Sequence, residues 1–274
     1  MKVLTVIFSY NTPARTIRCY NELLLHKPDW HDLLILDNSS SDELIPRTPH
    51  TTHLGKENRG HGGMIDFVLN DLLHCGTNPG GYGLVGMINN DTYDYAPRFI
   101  ETLVDAVAGI PVHRLGIISP AIKQGGTVWP TMQKQGHEPA RQTNFIETIA
   151  PWYGPRLLCD MAKLCPMEYF GYIDRAVSIR AKMLGLQNVV VDSLEIFHEA
   201  GKAREELGTQ QDVHARWRTS VKAWYDSHAE LKGLDEIWPE EINSSDWKQY
   251  VPKTDEAAVA PVPDGVGTAA GRVY

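Results

Sequence analysis

Short apolar runs alternate with amphipathic stretches over the first third of the chain. The runs at 3–8, 32–36 and 84–88 are rich in valine, isoleucine and leucine, as is typical of strands buried on both faces. Between them, apolar residues recur at helical spacing after Thr12-Pro13 and again from 64 to 73, which predicts two helices. This alternation predicts an α/β fold whose mostly parallel central sheet is flanked by helices.

The pattern continues to about residue 201. It predicts a helix at 97–108, a strand at 115–119, helices at 156–164 and 174–184, and a strand at 188–192. Gly185 follows the last of these helices, in a position where glycine commonly ends a helix. The segment 123–143 has little periodicity, and long irregular segments usually carry binding loops or short hairpins.

Two segments follow this predicted domain of residues 1–201. Residues 202–251 contain charged helical stretches with spaced tryptophans, which most often pack such helices onto the main domain. Binding to a membrane surface or to a partner is the alternative, but the segment is not notably basic. Residues 252–274 are rich in alanine, proline, glycine and valine, and we expect a flexible tail there.

Polar clusters follow three of the predicted strands. They are Ser9-Tyr10-Asn11, the stretch 37–42 and Asn89-Asn90-Asp91-Thr92. Taken alone, each cluster fits an ordinary turn. Because ligands of parallel sheets bind beyond the carboxyl ends of the strands, we expect the three clusters to lie at one edge of the sheet. A carboxylate and amides at such an edge suit a hard cation or a phosphate.

Composition and charge narrow the classes of protein. With 274 residues and 42% hydrophobic content, the chain can bury one large core. The formal net charge of -8 argues against nucleic-acid binding through a broad basic face. The four cysteines lack the spacing of a zinc site, so we expect reduced thiols. No apolar stretch is long enough to span a membrane and no signal peptide is recognisable, which predicts a cytoplasmic protein.

One glycine motif does not have the context that its pattern requires. Gly81-Tyr82-Gly83-Leu84-Val85-Gly86 satisfies the pattern of a dinucleotide-binding loop, but it precedes a strand instead of following one. No glycine stands after the first strand, where such a cofactor would bind. Both observations argue against a Rossmann-type dehydrogenase.

Several candidate site residues each have a structural alternative. Asp37 could cap a turn, or it could accept hydrogen bonds from a nucleobase or ribose. The stretch 58–63 could be a turn, or its backbone amides and Arg59 could bind an anion. Asp174 could be a helix cap, and His198 could be a structural histidine. None of these residues decides the function alone.

The ordered set of segments resembles one family, the family 2 nucleotide-diphospho-sugar glycosyltransferases with the GT-A fold. The resemblance covers about residues 3–201. The matching segments are VIFSYN at 6–11, LDNSSSD at 36–42, NRGHGG at 58–63, MINNDT at 87–92, YID at 172–174, IRAKMLG at 179–185 and FHEAG at 197–201. The resemblance therefore implies the GT-A fold for this part of the chain.

A divalent cation, Mn²⁺ or Mg²⁺, on the diphosphate of the donor is the first thing that the resemblance implies. Asn89-Asn90-Asp91 is similar to the family's Asp-x-Asp element, which makes Asp91 a metal ligand and Asn90 a donor-binding residue. Asn89 stands where the family often has the first aspartate. His198 resembles the family histidine that can complete the metal shell.

The resemblance also implies roles for the residues of the nucleotide pocket. Asp37 would hold the base, and Ser9 and Asn11 would line the pocket. Asn58 and Gly60 would lie beside the diphosphate and the donor sugar.

Two further assignments concern the acceptor. Asp174 resembles the family's catalytic base, although Ile173 replaces the glutamate that usually precedes it. Trp152 and Tyr153 are candidates to stack on an acceptor sugar, with core packing as the alternative.

Together these assignments predict an inverting, metal-assisted glycosyltransferase. It would move a hexosyl or deoxyhexosyl group from a UDP-, dTDP- or GDP-linked sugar to a hydroxyl of a glycan or lipid-linked acceptor. Bacterial polysaccharide biosynthesis is a compatible setting, as is peripheral contact with the inner face of a membrane. Two alternatives stay open: a nucleotide-sugar binding partner without catalysis, which Asn89 and Ile173 favour, and a nucleotidyltransferase. The latter should carry a glycine-rich basic loop after the first strand, and Ser9 to Arg15 contains none.

Overall fold

The computed structural model describes residues 1–75, 81–124, 130–136, 138–164 and 173–199. The predicted helical extension at 202–251 and the predicted tail at 252–274 lie outside these residues. Within the described part of the chain, no helix combines the length and the apolar character needed to cross a membrane.

Nine strands and five α-helices occur among the described residues. The strands are β1 (Val3–Ser9), β2 (His31–Asp37), β3 (Thr51–His53), β4 (Leu84–Asn89), β5 (Thr92–Tyr93), β6 (Leu115–Ile122), β7 (Arg141–Thr143), β8 (Trp152–Tyr153) and β9 (Gln187–His198). The helices are α1 (Pro13–Leu25), α2 (Gly60–Asp66), α3 (Phe99–Ala106), α4 (Pro155–Leu164) and α5 (Ile173–Met183). A π-helical turn (Phe67–Leu72) continues α2, and 3₁₀ turns occur at Asp42–Leu44, Val112–Arg114 and Pro130–Met132.

The strands form one mixed sheet in the order β3-β2-β1-β4-β8-β6-β9-β5, with β7 also paired to β9. The first four strands in this order are mutually parallel, and so are β6 and β9. The two-residue strand β8 is antiparallel to both β4 and β6 and joins the two halves of the sheet. The α/β fold with a mostly parallel sheet is therefore confirmed.

Four strands were not predicted from the sequence pattern. β3, β5, β7 and β8 are only two or three residues long, so they show no periodicity of their own. β9 is longer than the predicted strand at 188–192, because its second half pairs with β5 and with the end of β6.

Helices cover the sheet because their apolar positions fall on one face. In α1, Pro13 begins the helix, where its missing N–H is tolerated, and the buried side chains are Thr16, Cys19, Tyr20 and Leu23. Every residue of β1 and of β6 is buried. The near-continuous apolar runs of the sequence therefore correspond to central strands with both faces covered.

Two local predictions from the sequence are also confirmed. Gly185 follows α5 with a φ of +67°, the left-handed conformation that glycine adopts most easily at a helix end. Cys19, Cys75 and Cys159 are free thiols, the first two of them buried. Cys165 lies outside the described residues.

A polar chain crosses the otherwise apolar core between β2, β1 and β8. The indole Nε1 of Trp152 donates to Thr5 Oγ1 at 3.0 Å, and Thr5 Oγ1 lies 2.9 Å from His31 Nε2. All three residues are fully buried. Since the indole N–H can only donate, Thr5 Oγ1 accepts from Trp152, and its own hydroxyl proton is available to His31. Gly86 makes room for this chain, because any side chain there would collide with the Trp152 indole.

We expect the free energy of unfolding to fall as the pH is lowered from about 6.5 to about 4. Burial, reinforced by the charge of Lys27, lowers the pKa of His31 from 6.5 to about 4. In this window the unfolded chain binds a proton at His31 and the folded chain does not. The free energy of unfolding is therefore highest above the pKa of His31 in the unfolded chain. It decreases by about 3 kcal/mol as the pH falls through the pKa of His31 in the folded chain.

Urea unfolding at several pH values measures this effect. His31→Gln removes the titrating ring and should flatten the pH dependence between the two pKa values. His26→Gln is the matched control, because His26 is exposed at the end of α1 and its replacement should leave the wild-type slope. If His31→Gln kept the full slope, another group would be responsible for it.

Candidate functional site

The carboxyl ends of four parallel strands bring polar residues to one edge of the sheet. Ser9 at the end of β1 is in register with Asp37 at the end of β2, and Phe8 is in register with Asn89 at the end of β4. Asp37 is in turn paired with His53, the last residue of β3. The three polar clusters of the sequence therefore lie at one edge, as the topology predicts.

Asp91 and His198 meet at this edge although they are far apart in the chain. β5 follows Asp91 directly and pairs with the end of β9, with Thr92 opposite His198. This pairing places His198 Nε2 3.4 Å from Asp91 Oδ1, and both side chains are nearly buried, with 12% and 11% of their surface exposed. The backbone closes the same junction, because the Glu199 amide donates to the Asp91 carbonyl at 2.9 Å.

The Asp91 carboxylate fits a divalent cation. Its Oδ1 atom is buried and has no hydrogen-bond partner among the described residues, an arrangement that leaves a negative oxygen unsatisfied. Carboxylate oxygen is a ligand of Mg²⁺ and Mn²⁺, and neutral imidazole is a common metal ligand. No group of three or more His, Cys, Asp or Glu side chains with metal-site geometry occurs in the described residues. A cation held by Asp91 and His198 would therefore need oxygen ligands from the bound substrate.

The loop that carries Asp91 is held from behind by a polar network. Thr92 Oγ1 donates to the Asn89 carbonyl at 2.7 Å and lies 2.6 Å from the Tyr95 hydroxyl. Asn90 Nδ2 donates to Thr12 Oγ1 and to Thr16 Oγ1, each at 2.7 Å. The amide of Asn90 thus ties this loop to the first turn of α1, so its N–H groups are occupied by the protein itself.

Arg15 is a charged residue of this site that the sequence analysis did not single out. Its Nε donates to Glu199 Oε2 at 2.9 Å, and both side chains are mostly buried. Glu199 directly follows His198, so the ion pair ties α1 to the junction that holds Asp91. The available signal was the place of Arg15 in the first turn of the helix that follows β1.

Asp37 is fully buried, and its carboxylate is occupied by the protein. Oδ1 accepts from the Ser40 amide at 2.9 Å and lies 2.9 Å from His53 Nδ1, while Oδ2 accepts from the Ser40 hydroxyl at 2.7 Å. With no exposed surface, the carboxylate cannot itself contact a base in this conformation. Its observed role is to fold the loop after β2 and to hold His53.

Ser9 and Asn11 link the loops after β1 and β2. Ser9 is buried, and its Oγ accepts from Thr16 Oγ1 at 2.9 Å, so it supports the pocket without lining its surface. Asn11 has a positive φ of 50°, and its Oδ1 accepts from the Ser41 amide at 3.1 Å. The Asn11 amide donates to Ser40 Oγ at 2.7 Å. The two loops therefore form one rigid unit.

Asn58 and Gly60 attach a third loop to the same unit. Asn58 Oδ1 accepts from the Gly60 amide and from Asn38 Nδ2, each at 2.8 Å. Asn38 Oδ1 accepts from the Arg59 amide at 2.9 Å. Gly60 begins α2 with a φ of +66°, a conformation that favours glycine. The three loops that carry the predicted pocket residues are thus joined to one another by hydrogen bonds.

Trp152 and Tyr153 lie in the core instead of lining an acceptor groove. Their exposed fractions are 0% and 1%, because β8 is enclosed between β4 and β6. The Trp152 ring contacts the Phe99 ring, with centroids 5.6 Å apart. The packing alternative therefore describes both residues, and stacking on an acceptor sugar is not available to buried rings.

Asp174 is partly exposed in the first turn of α5. Burial raises the pKa of the Tyr153 hydroxyl above its ordinary range, and the negative charge of Asp174 adds to this. A bidentate ion pair joins α5 to α4. Arg180 Nη2 donates to Asp160 Oδ1 at 3.0 Å, and Arg180 Nε donates to Asp160 Oδ2. The position of Asp174 is therefore set by a helix that is anchored on α4.

No protein-family model matches the chain, and no curated protein is similar to it in sequence. Solved structures nevertheless share its fold. One is TarS of S. aureus, residues 1–349 in complex with UDP-GlcNAc, with a TM-score of 0.54 and 14% identity over 88% of this chain and 77% of that TarS chain. Another is the mannosyltransferase PcManGT from Pyrobaculum calidifontis with GDP-Man and Mn²⁺, with a TM-score of 0.52 and 15% identity over 88% of this chain and 67% of PcManGT.

A third similar structure is GalNAc-T7 with UDP, GalNAc and Mn²⁺. Its TM-score is 0.53 and its identity 11%, over 72% of this chain. The chain spans 44% of the length of GalNAc-T7. All three similar proteins are glycosyltransferases, and the mixed sheet with its flanking helices corresponds to theirs. The chain therefore has the GT-A fold.

Proposed function

We propose that this protein is an inverting glycosyltransferase that uses a nucleotide-diphosphate sugar, a divalent cation and Asp174 as its base. The observation that carries the proposal is the junction of Asp91 and His198 at the carboxyl edge of the sheet, with a buried carboxylate oxygen that lacks a hydrogen-bond partner among the described residues. The similar structures support it, because they were determined with UDP, UDP-GlcNAc or GDP-Man, and two of them with Mn²⁺.

Glycosyl transfer places two demands on the protein. Positive charge develops on the sugar as the nucleoside diphosphate leaves, and the acceptor hydroxyl must lose a proton. Asp91 and His198 would hold a cation that, when bound, neutralises the diphosphate. The rigid unit of the first three loops would orient the nucleotide before reaction, which lowers the entropic cost of reaching the transition state.

Asp174 would supply the base on the acceptor side. Its carboxylate takes the hydroxyl proton while the acceptor oxygen bonds to the anomeric carbon of the sugar. The bond from that carbon to the diphosphate oxygen breaks, and its electron pair leaves with the diphosphate. Attack from the face opposite the leaving group inverts the anomeric centre.

A nucleotide-sugar binding partner without catalysis is the second candidate. Two departures from the family pattern favour it, Asn89 in place of the first aspartate and Ile173 in place of the glutamate before Asp174. Hydrolysis of the donor in the absence of an acceptor distinguishes the two candidates. Slow release of the nucleoside diphosphate, at a rate that rises with protein concentration, supports the enzyme, and none supports the binding partner.

A thermal-shift screen tests the binding that both candidates require. We expect one of the UDP-, dTDP- and GDP-sugars, in the presence of Mn²⁺, to stabilise the protein by about 2 to 4 kcal/mol at a concentration well above its dissociation constant. Free monosaccharides with Mn²⁺ are the control and should not shift the transition. If none of the nucleotide sugars stabilised the protein, the donor site and the proposal would both fail.

A further inference from the structure

His53 presents an imidazole that is held by a buried carboxylate at the carboxyl edge of the sheet. It is the last residue of β3 and the register partner of Asp37 on β2. Its Nδ1 lies 2.9 Å from Asp37 Oδ1. The His53 side chain is 30% exposed, whereas that of Asp37 is fully buried. The pair therefore has a covered charged end and an accessible ring.

The chemistry of the pair fixes the proton on the ring. An ionised carboxylate can only accept hydrogen bonds, so Nδ1 of His53 carries the hydrogen that it donates to Asp37. In the neutral ring, Nε2 is then an acceptor with a free lone pair. The contact with Asp37 is made through Nδ1. Among the described residues, His53 Nε2 has no hydrogen-bond partner. A carboxylate that accepts a hydrogen bond from one ring nitrogen commonly fixes the tautomer and the orientation of a functional histidine.

His53 lies where the two loops after β2 and β3, part of the proposed nucleotide pocket, are joined. The Leu54 amide, directly after His53, donates to the Asp37 carbonyl at 2.9 Å. The Ser39 hydroxyl donates to the Glu57 carbonyl and ties the loop after β2 to the loop after β3. The loop after β3 leads to Asn58 and Gly60, which are bonded to the loop after β2 through Asn38. His53, partly exposed at the end of β3, therefore lies beside the loops that would form the nucleotide pocket.

We propose that His53 reads the nucleobase of the donor by accepting a hydrogen bond at Nε2 from a ring N–H. Asp37 is then a positioning residue that acts through the imidazole. This inference rests on the proposed function and deepens it, because it names the residue that would select the nucleobase. Uracil, thymine and guanine carry a hydrogen on the ring nitrogen of their pairing edge. Cytosine and adenine have a lone pair there, which would face the lone pair of Nε2 and leave both unsatisfied.

Two substitutions distinguish the roles of the two ring nitrogens of His53. In His53→Asn, the amide nitrogen can replace Nδ1 and keep the bond to Asp37, but nothing replaces Nε2. In His53→Gln, the amide oxygen can take the place of Nε2 as an acceptor. We expect His53→Asn to weaken binding of the preferred nucleoside diphosphate by about tenfold, and His53→Gln to weaken it less.

Isothermal titration in the presence of Mn²⁺ measures these affinities for UDP, dTDP, GDP, ADP and CDP. Pyrophosphate with Mn²⁺ is the matched probe without a base, and its affinity should be the same in wild type and His53→Asn. For a protein that prefers UDP, 3-methyl-UDP removes the ring N–H. The wild type should bind 3-methyl-UDP about tenfold more weakly than UDP. His53→Asn should bind 3-methyl-UDP and UDP with equal affinity.

The possible results separate this inference from the proposed function. Wild-type protein that binds none of the five nucleotides would overturn the proposed function. Preference for ADP or CDP, or equal binding of UDP and 3-methyl-UDP, would overturn the role of His53 while the proposed function stood. Loss of pyrophosphate binding in His53→Asn would also overturn it, because the ring would then support the fold of the pocket and not read the base.

Discussion

Asp174→Asn is expected to slow glycosyl transfer by about a hundredfold to ten-thousandfold, the range that a positioned general base contributes. Asparagine has nearly the same shape as aspartate but cannot accept the proton of the acceptor hydroxyl. The ion pair of Arg180 with Asp160 should keep α5 in place, so the change is chemical and not conformational. Affinity for the nucleotide sugar should therefore change little.

Turnover and donor affinity are measured separately. The turnover number is compared for wild type and variant with saturating donor, and donor affinity is measured separately by titration. Asp105→Asn is the matched control, because Asp105 is exposed on α3 and its substitution removes the same charge elsewhere. Full activity of Asp174→Asn would remove the assignment of the base. Loss of donor affinity would mean instead that Asp174 belongs to the donor site.

Asp91→Asn is expected to abolish the effect of Mn²⁺ on donor affinity and to lower turnover by about a hundredfold or more, as loss of a charged metal ligand does. The folded protein should tolerate the change, because Asp91 Oδ1 makes no hydrogen bond with the described residues. Because Asn89 and Asn90 are uncharged, Asp91 is the single carboxylate of Asn89-Asn90-Asp91. The loss of turnover in Asp91→Asn should therefore be large.

Chelation provides an independent measurement of the same property. EDTA should suppress turnover of the wild type, and added Mn²⁺ or Mg²⁺ should restore it. Asp94→Asn is the control, since Asp94 follows in the same segment but is exposed and pairs with Lys123 at 2.9 Å. Transfer that is indifferent both to EDTA and to added cation would exclude the metal-assisted mechanism.

The central sheet could be predicted from the sequence because its long strands and helices show their buried faces in the local pattern of apolar residues. β1, β2, β4 and β6 are apolar runs, and α1 shows its buried face at helical spacing. The convergence of Ser9, Asp37 and Asn89 on one edge followed from parallel topology alone.

The individual roles of the polar residues were less predictable. A carboxylate after a strand has the same sequence signature whether it faces a ligand or folds its own loop. Asp37 does the latter through Ser40, and it could be distinguished from Asp91 only by its complete burial and its hydrogen bonds. Trp152 and Tyr153 likewise needed the structure, because an aromatic pair before a helix does not reveal that it fills the gap between β4 and β6.

The sequence by itself determined the order of the longer strands and the helices, the α/β class and the chain positions of the polar clusters, because each of these depends on residues close together in the chain. The tertiary structure decided which of those residues meet. The pairing of β5 with β9 brings His198 to Asp91, and the register of β3 on β2 gives His53 to Asp37. β3 and β5 are too short to show a period, so their positions are set by the sheet around them and not by their own residues.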